Sequence, residues 1–445
     1  MTFQPSLALQ DTALTVCVLS ILLVPFACAG LLLINTGLGR SRSAAQMALS
    51  SLCVFSVAAI AYVICGFSWQ GFEGLPAHTF TVAGKSWNWI AAQPFFLRGV
   101  QLNGSAPSLA IWLQMFSVAL AAMIPLGTGA DRWRLGASCA SAALLAGCTY
   151  PLFAHWVWGG GWLAQLGSKF GLGRGFLDAG GSCSIQVVGG LTALSIAWIV
   201  GPRRGKYSHE GMPAAIPGHN GIYVIFGCLL ALVGWTGLNF AGAILFAGAA
   251  AGQAVQVAVN TMLCAGAAGL TAGVVTHTRF GKPDASLVAN GWVGGLVASS
   301  AACIFILPAA AVAIGIVAGA LVTFSVEWFE LRLGVDDPGG AISAHAVAGI
   351  WGGLSVGLFA NFTDGVLKNR AGGNSGQFLA QLVGVATLLG FVLPLTYFLN
   401  WLLNRVYPQR VAAEGERQGL DLYELGAGAY PEFMTHSDEF TQRKI

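Results

Sequence analysis

Asp178-Ala-Gly-Gly-Ser-Cys-Ser-Ile-Gln-Val-Val-Gly-Gly190 and Asp337-Pro-Gly-Gly-Ala-Ile-Ser-Ala-His-Ala-Val-Ala-Gly349 are two copies of one segment. Six of the thirteen positions are identical: the Asp, two Gly, the Ser, a Val and the last Gly. Gln186 and His345 hold the same place, eight residues after the Asp. Each Asp can cap the free N–H groups of a helix start, and Pro338 suits a first helical position. Eight residues at about 1.5 Å each amount to about 12 Å of helix. In a hydrocarbon core about 30 Å thick, that depth is near the midplane.

The rest of the chain supports a membrane setting. Of its 445 residues, 56% are hydrophobic and only 9% charged, against roughly a quarter charged in soluble domains. The 61 glycines suit helices whose backbones approach closely in lipid. A net charge of +3 gives no footing for nucleic acid. Apolar stretches of about 20 residues, enough to cross a bilayer, fall at roughly 11–36, 47–68, 106–129, 136–156, 178–200, 219–238, 248–276, 285–305, 306–327, 341–361 and 377–404. The eighth and ninth barely separate near Pro308. No basic region precedes the first stretch, and it is too long for the core of a cleavable leader, so it reads as a span.

Lys and Arg set the orientation. One set of connections, with the tail, carries fifteen: Arg40, Arg42, Arg132, Arg134, Arg203, Arg204, Lys206, Arg279, Lys282, Arg332, Arg405, Arg410, Arg417, Arg443 and Lys444. The other set carries six: Lys85, Arg98, Lys169, Arg174, Lys368 and Arg370. This predicts an all-α membrane protein of eleven transmembrane helices, N-terminus out and C-terminus in. An eleven-helix domain over 1–405 would precede a cytoplasmic tail over 406–445. Five spans separate the two copies, so helices 1–5 and 6–10 form an inverted repeat. Such repeats are typical of transporters, with the site at the repeat interface.

A polar side chain at mid-membrane is a functional hypothesis by default. A satisfied pair that merely packs two helices is an equal reading from position alone. The ten cysteines lie in apolar segments without CxxC spacing, as buried small hydrophobes do. Neither a metal site nor a nucleophile–base–orienter set is apparent, so no enzyme and no cofactor is expected.

Several runs together carry a family resemblance. They are Ala130-Asp-Arg-Trp-Arg134, His155-Trp-Val-Trp-Gly-Gly-Gly161, the Asp178 segment, Gly234-Trp-Thr-Gly-Leu-Asn239, Asp336-Asp-Pro338 with His345, and Gly419-Leu-Asp421 followed by Tyr430. In this order, over about 10–432, the chain resembles the ammonium transporter (Amt/Mep/Rh) family. The resemblance implies an eleven-helix protomer, usually in a homotrimer in the cell (inner) membrane, with a narrow pore in each protomer. It implies cation–π recruitment of ammonium at Trp158, two stacked rings closing the outer vestibule, and a pair of pore histidines, the second at His345. The tail segment resembles one that packs under the pore and contacts a PII-type signal protein.

The sequence departs from that pattern at several positions. The first pore histidine falls on Gln186, which can donate and accept hydrogen bonds but cannot titrate. The gate phenylalanines fall on Ser117, beside Phe116, and on Leu238, and a vestibule serine falls on Gly242. The expectation is therefore an open vestibule with weak cation binding and reduced proton relay. Asp178 reads mainly as a helix cap with an indirect part in recruitment, and Tyr150 as packing. His155, His219 and His277 read as interfacial residues. Conduction of ammonium or ammonia is the first reading. An ammonium sensor that conducts poorly is the alternative. A pore for another small solute is a third, although no paired Asn-Pro-Ala motif is present.

Overall fold

The computed structural model describes residues 9–361 and 374–430. Lys368, Arg370, Arg443 and Lys444, used above for orientation, lie outside them. Among the described residues, ten helices are long and apolar enough to cross a membrane: α1 Asp11–Leu38, α2 Ser41–Gln70, α3 Ala106–Gly129, α4 Leu135–Trp158, α5 Ser182–Val200, α6 Gly221–Ala247, α7 Ala251–Phe280, α9 Pro308–Leu333, α10 Ile342–Phe359 and α11 Gly376–Val406. Between α7 and α9 lies α8, Ala285–Ala302, a largely buried helix of 18 residues. The chain is a multi-pass membrane protein.

Local chemistry sets the ends. Asn220 accepts from Tyr223 N at 3.0 Å to start α6, and Asp284 accepts from Leu287 N at 2.9 Å to start α8; both are side-chain N-caps. Pro308 opens α9 at its first turn, where a missing N–H costs nothing. The expected sixth span stops at 238, but α6 runs on to Ala247 and ends at Gly248 in the left-handed region, φ 68°. The run after 238 is apolar and unbroken, and nothing ends it before a residue that can leave the helix.

Helices meet through small residues. A Cβ on Gly234 would overlap the Ala27 backbone, which draws α6 onto α1, and one on Gly319 would overlap Ala268 O, which draws α9 onto α7. This backbone proximity is what packs helices where water provides no driving force. Burial grades inward: 83% of the apolar window of α3 and 89% of that of α5 are buried, against 33% for α2 and α11. The α5 segment is therefore central and α11 peripheral.

Strand structure, which the all-α reading omitted, appears as a hairpin. β1 Ala77–Val82 pairs antiparallel with β2 Lys85–Ala91. Ala83 and Gly84 at its tip both have positive φ, 51° and 74°, the geometry of a tight hairpin turn. The hairpin seats on the end of α4: His155 Nδ1 meets Gln70 O at 2.6 Å and its Nε2 meets Asn88 Oδ1 at 2.9 Å. His155 is thus a clamp between loop and helix.

Candidate functional site

The two repeated segments adopt matching local structures. Asp178 accepts from Gly181 N, Cys183 N and Ser184 N at 3.1, 3.0 and 2.7 Å. Asp337 accepts from Ile342 N at 2.8 Å, in the place equivalent to Cys183, and from Thr128 Oγ1 at 2.6 Å. Gly181 and Gly340, each three residues after its Asp, both have positive φ, 93° and 61°. Each copy then forms a π-helical turn, Ser182–Val187 in one and Ile342–Val347 in the other. Such turns also interrupt α2, α4 and α11, so what marks this place is the pairing of two of them and not the turn itself.

The two turns pack against each other in reverse order. Gly190 abuts Ala346, Gly349 abuts Val187 and Ser182, and Gly353 abuts Cys183. The segments are therefore antiparallel, and their widened turns face one another. Gln186 and His345 meet at this crossing, His345 Nδ1 to Gln186 Oε1 at 2.8 Å, both buried. Gln186 Nε2 is buried without a hydrogen-bond partner, as is Ser343 Oγ. Unsatisfied buried donors are costly, and the one on Gln186 lies beside its contact with His345.

On the hairpin side a cavity of about 610 Å³ lies above α5, bounded among others by Trp158, Asp178, Phe246, Phe72, Glu73 and Arg174. Trp158 Nε1 donates to the Asp178 carbonyl at 2.8 Å, which fixes its ring. Phe246 stacks on Trp158 at 4.5 Å between centroids and 12° between planes. Reading the sequence missed Phe246, although it lies four residues after Gly242 and eight after Leu238 and so shares their face of α6. Asp178 is held chiefly as a cap by its three backbone donors.

The gate positions hold no stacked pair. Ser117 is buried and donates to Leu113 O at 2.9 Å. Leu238 is buried. Phe116 packs outward against Phe55 and Trp112, with centroids 6.0 and 6.5 Å away. Phe240 is buried in the core. At the cavity the stacked rings are instead those of Trp158 and Phe246. Gly242 lies against Ala179 O, which a Cβ would overlap, and it does not line the cavity. A serine there requires the Asp178 loop to move.

At the opposite end of α5 and α10 lies a buried ion cluster. Arg203 donates to both Asp336 carboxylate oxygens at 2.9 Å and to Asp131 Oδ2 at 3.2 Å. Arg132 donates to the Asp336 carbonyl at 2.8 Å and to Gly201 O at 2.7 Å. Burial by itself pushes the Asp336 carboxyl up; the Arg203 hydrogen bonds and the Arg132 and Arg203 charges outweigh it and hold it at about 2. The tail packs beside this cluster. Asp421 accepts from Gln46 N at 2.8 Å and Ala45 N at 3.2 Å, Glu424 accepts from Leu135 N at 3.1 Å, and Tyr430 Oη meets His219 Nε2 at 3.0 Å.

A sequence profile of the Ammonium Transporter Family matches residues 15–430. The chain belongs to the ammonium transporter family. It is 35% identical to the ammonium transporter Amt2 of Archaeoglobus fulgidus over 427 residues, covering 94% of this chain and 88% of that protein. It is 31% identical to an ammonium transporter of Bacillus subtilis, covering 93% and 97%. Among solved structures of the family, one named Sensor Amt Protein matches with a TM-score of 0.82 at 27% identity, covering 93% of this chain and 98% of that one. The Mep2 structure from Candida albicans shares the fold, with a TM-score of 0.78, 24% identity, and coverage of 96% and 92%.

Proposed function

We propose that this chain transports ammonium nitrogen across the cell membrane, through a pore within each protomer that begins at the Trp158 cavity and passes Gln186 and His345. Family membership supports ammonium transport. The observation that supports the route is the contact of His345 Nδ1 with Gln186 Oε1 at 2.8 Å, at the crossing of two antiparallel widened turns. With Oε1 as acceptor, Nδ1 carries the proton and Nε2 offers a lone pair; this tautomer is assigned from the partner. Gln186 cannot take up a proton, so no proton is relayed through it. The unpartnered Gln186 Nε2 is a donor. Ammonia can accept from it, whereas ammonium has no lone pair to do so. The pair thus favours passage of the neutral species with little charge.

The same reading places eleven helices across the membrane, α8 included, with the N-terminus outside, the tail in the cytoplasm and the first five helices an inverted copy of the next five. Homotrimer assembly, a regulatory tail and a PII-type partner beneath it belong to this reading as family expectations. The test is an ammonium pulse on purified protein in liposomes, with current recorded on a solid-supported membrane and uptake of labelled methylammonium measured in parallel. Uptake with a small current is expected. Saturable binding with neither uptake nor current would replace this reading by the sensor.

A further inference from the structure

Trp158 is the expected cation-binding group, but its face is stacked by Phe246 and its residue exposure is 6%. Asp178 spends its carboxylate on three backbone N–H groups. Neither presents a free anionic surface to the cavity. Glu73 also lines this cavity, and it is exposed. It follows Phe72, whose ring packs on Phe246 at 6.3 Å. It stands beside Gly160, where a Cβ would come within 3.4 Å of Glu73 Cγ, two residues past Trp158 in the chain. The aromatic trio thus holds Glu73 at the rim. Among the described residues, the Glu73 carboxylate forms no ion pair.

We propose that Glu73 is the anionic recruiting residue of this vestibule, drawing ammonium and small alkylammonium cations into the cavity beside Trp158. The proposal rests on the transport reading for its substrate. An exposed carboxylate on the wall of a low-dielectric cleft concentrates cations at its mouth and raises their rate of entry.

The test uses the full chain in proteoliposomes and methylammonium as probe. Glu73→Gln should raise the half-saturating concentration about tenfold, the lower end of electrostatic focusing, with the maximal rate unchanged. Glu73→Asp should stay close to wild type. In about 1 M salt, where screening acts within about 3 Å, wild type and Glu73→Gln should converge. Glu210→Gln, an exposed acid in the α5–α6 loop away from the cavity, should behave as wild type. An unchanged half-saturation in Glu73→Gln, or a difference that salt leaves intact, overturns the proposal. Should wild type transport nothing, the transport reading fails, and quenching of tryptophan fluorescence by methylammonium in the same variants decides Glu73 separately. Equal quenching in wild type and Glu73→Gln then refutes it.

Discussion

Gly190 of α5 packs directly on the backbone of Ala346 in α10, where a Cβ would overlap the Ala346 nitrogen. The overlap is with backbone, which no rotamer change relieves. Four residues before Gly190, and one before Ala346, stand Gln186 and His345. The glycine therefore sets the separation at which those side chains meet.

Gly190→Leu should force the two helices apart. Overpacking costs typically about 1–3 kcal/mol, so the melting temperature in detergent should fall by several degrees and uptake should be lost. Gly281→Ala, just after α7, is a comparison in open space, though its φ of 76° adds strain; it should lose stability but keep uptake. Full uptake in Gly190→Leu would mean that this contact does not hold the pair.

Asp336 gives an acid-dependent contribution to stability. Its folded carboxyl is held at about 2, below its ordinary 3.8. The depressed value stabilises the fold above about pH 4, and this contribution is lost as the pH falls toward 2. The shift corresponds to on the order of 2 kcal/mol. Asp336→Asn removes that pH dependence and leaves Arg132 buried without a carboxylate, while Arg203 keeps Asp131, a loss of about 3 kcal/mol. Thermal melts between pH 2 and 7 check both. Equal slopes in wild type and variant would remove Asp336 from the acid response.

Ten of the spans were legible because lipid demands long apolar runs, and their middles match the ten helices long and apolar enough to cross a membrane; the stretch expected at 285–305 coincides with the shorter helix α8. The repeat was legible because capping needs Asp and the left-handed turn needs Gly at a fixed spacing; Asp178/Asp337 and Gly181/Gly340 answer those two needs. The hairpin does carry a local signal, the alternating Thr79-Phe-Thr-Val82 and Ser86-Trp-Asn-Trp89 around Gly84, but it lies in a connection that was read only for its basic residues. The Trp158–Phe246 stack was missed because Phe246 lies beyond the point at which α6 was expected to end. Gly242 was read as a lost vestibule side chain, whereas its neighbour Ala179 O is contributed by a loop far away in sequence.

Removing Phe246 should strengthen recruitment at Trp158. Phe246→Ala uncovers one face of the indole, and an exposed cation–π contact is worth about 0.5–1 kcal/mol. The half-saturating methylammonium concentration should fall about two- to fivefold. Trp158→Leu should abolish that gain in the double variant. A rise in half-saturation in Phe246→Ala would show that the stack itself is part of the binding surface.

The tail contacts make a prediction that separates anchoring from simple length. Asp421 caps the start of α2 through Ala45 N and Gln46 N, and a lost cap costs about 1 kcal/mol. Asp421→Ala should speed hydrogen exchange at residues 45 and 46 and across 413–425; deletion of 411–445 should speed it at 45 and 46 and alter uptake. If exchange quickens with no change in uptake in either variant, the tail is an anchor without a regulatory effect.

The relay prediction turns on which side chain can hold a proton. Gln186 cannot, so any charge that crosses with the substrate must use His345 alone. Gln186→His supplies a second titratable ring at the same crossing, where the present contact is 2.8 Å. Ammonium-induced current should then rise severalfold relative to uptake. His345→Ala removes the remaining titratable group of the pair and leaves Gln186 Oε1 without its donor, so the residual current should vanish while the fold persists. His345→Gln keeps a donor and an acceptor there, and uptake of the neutral species should survive better than in His345→Ala. If the current is the same in Gln186→His and His345→Ala as in wild type, neither ring carries the proton, and the 2.8 Å contact serves only to join α5 to α10.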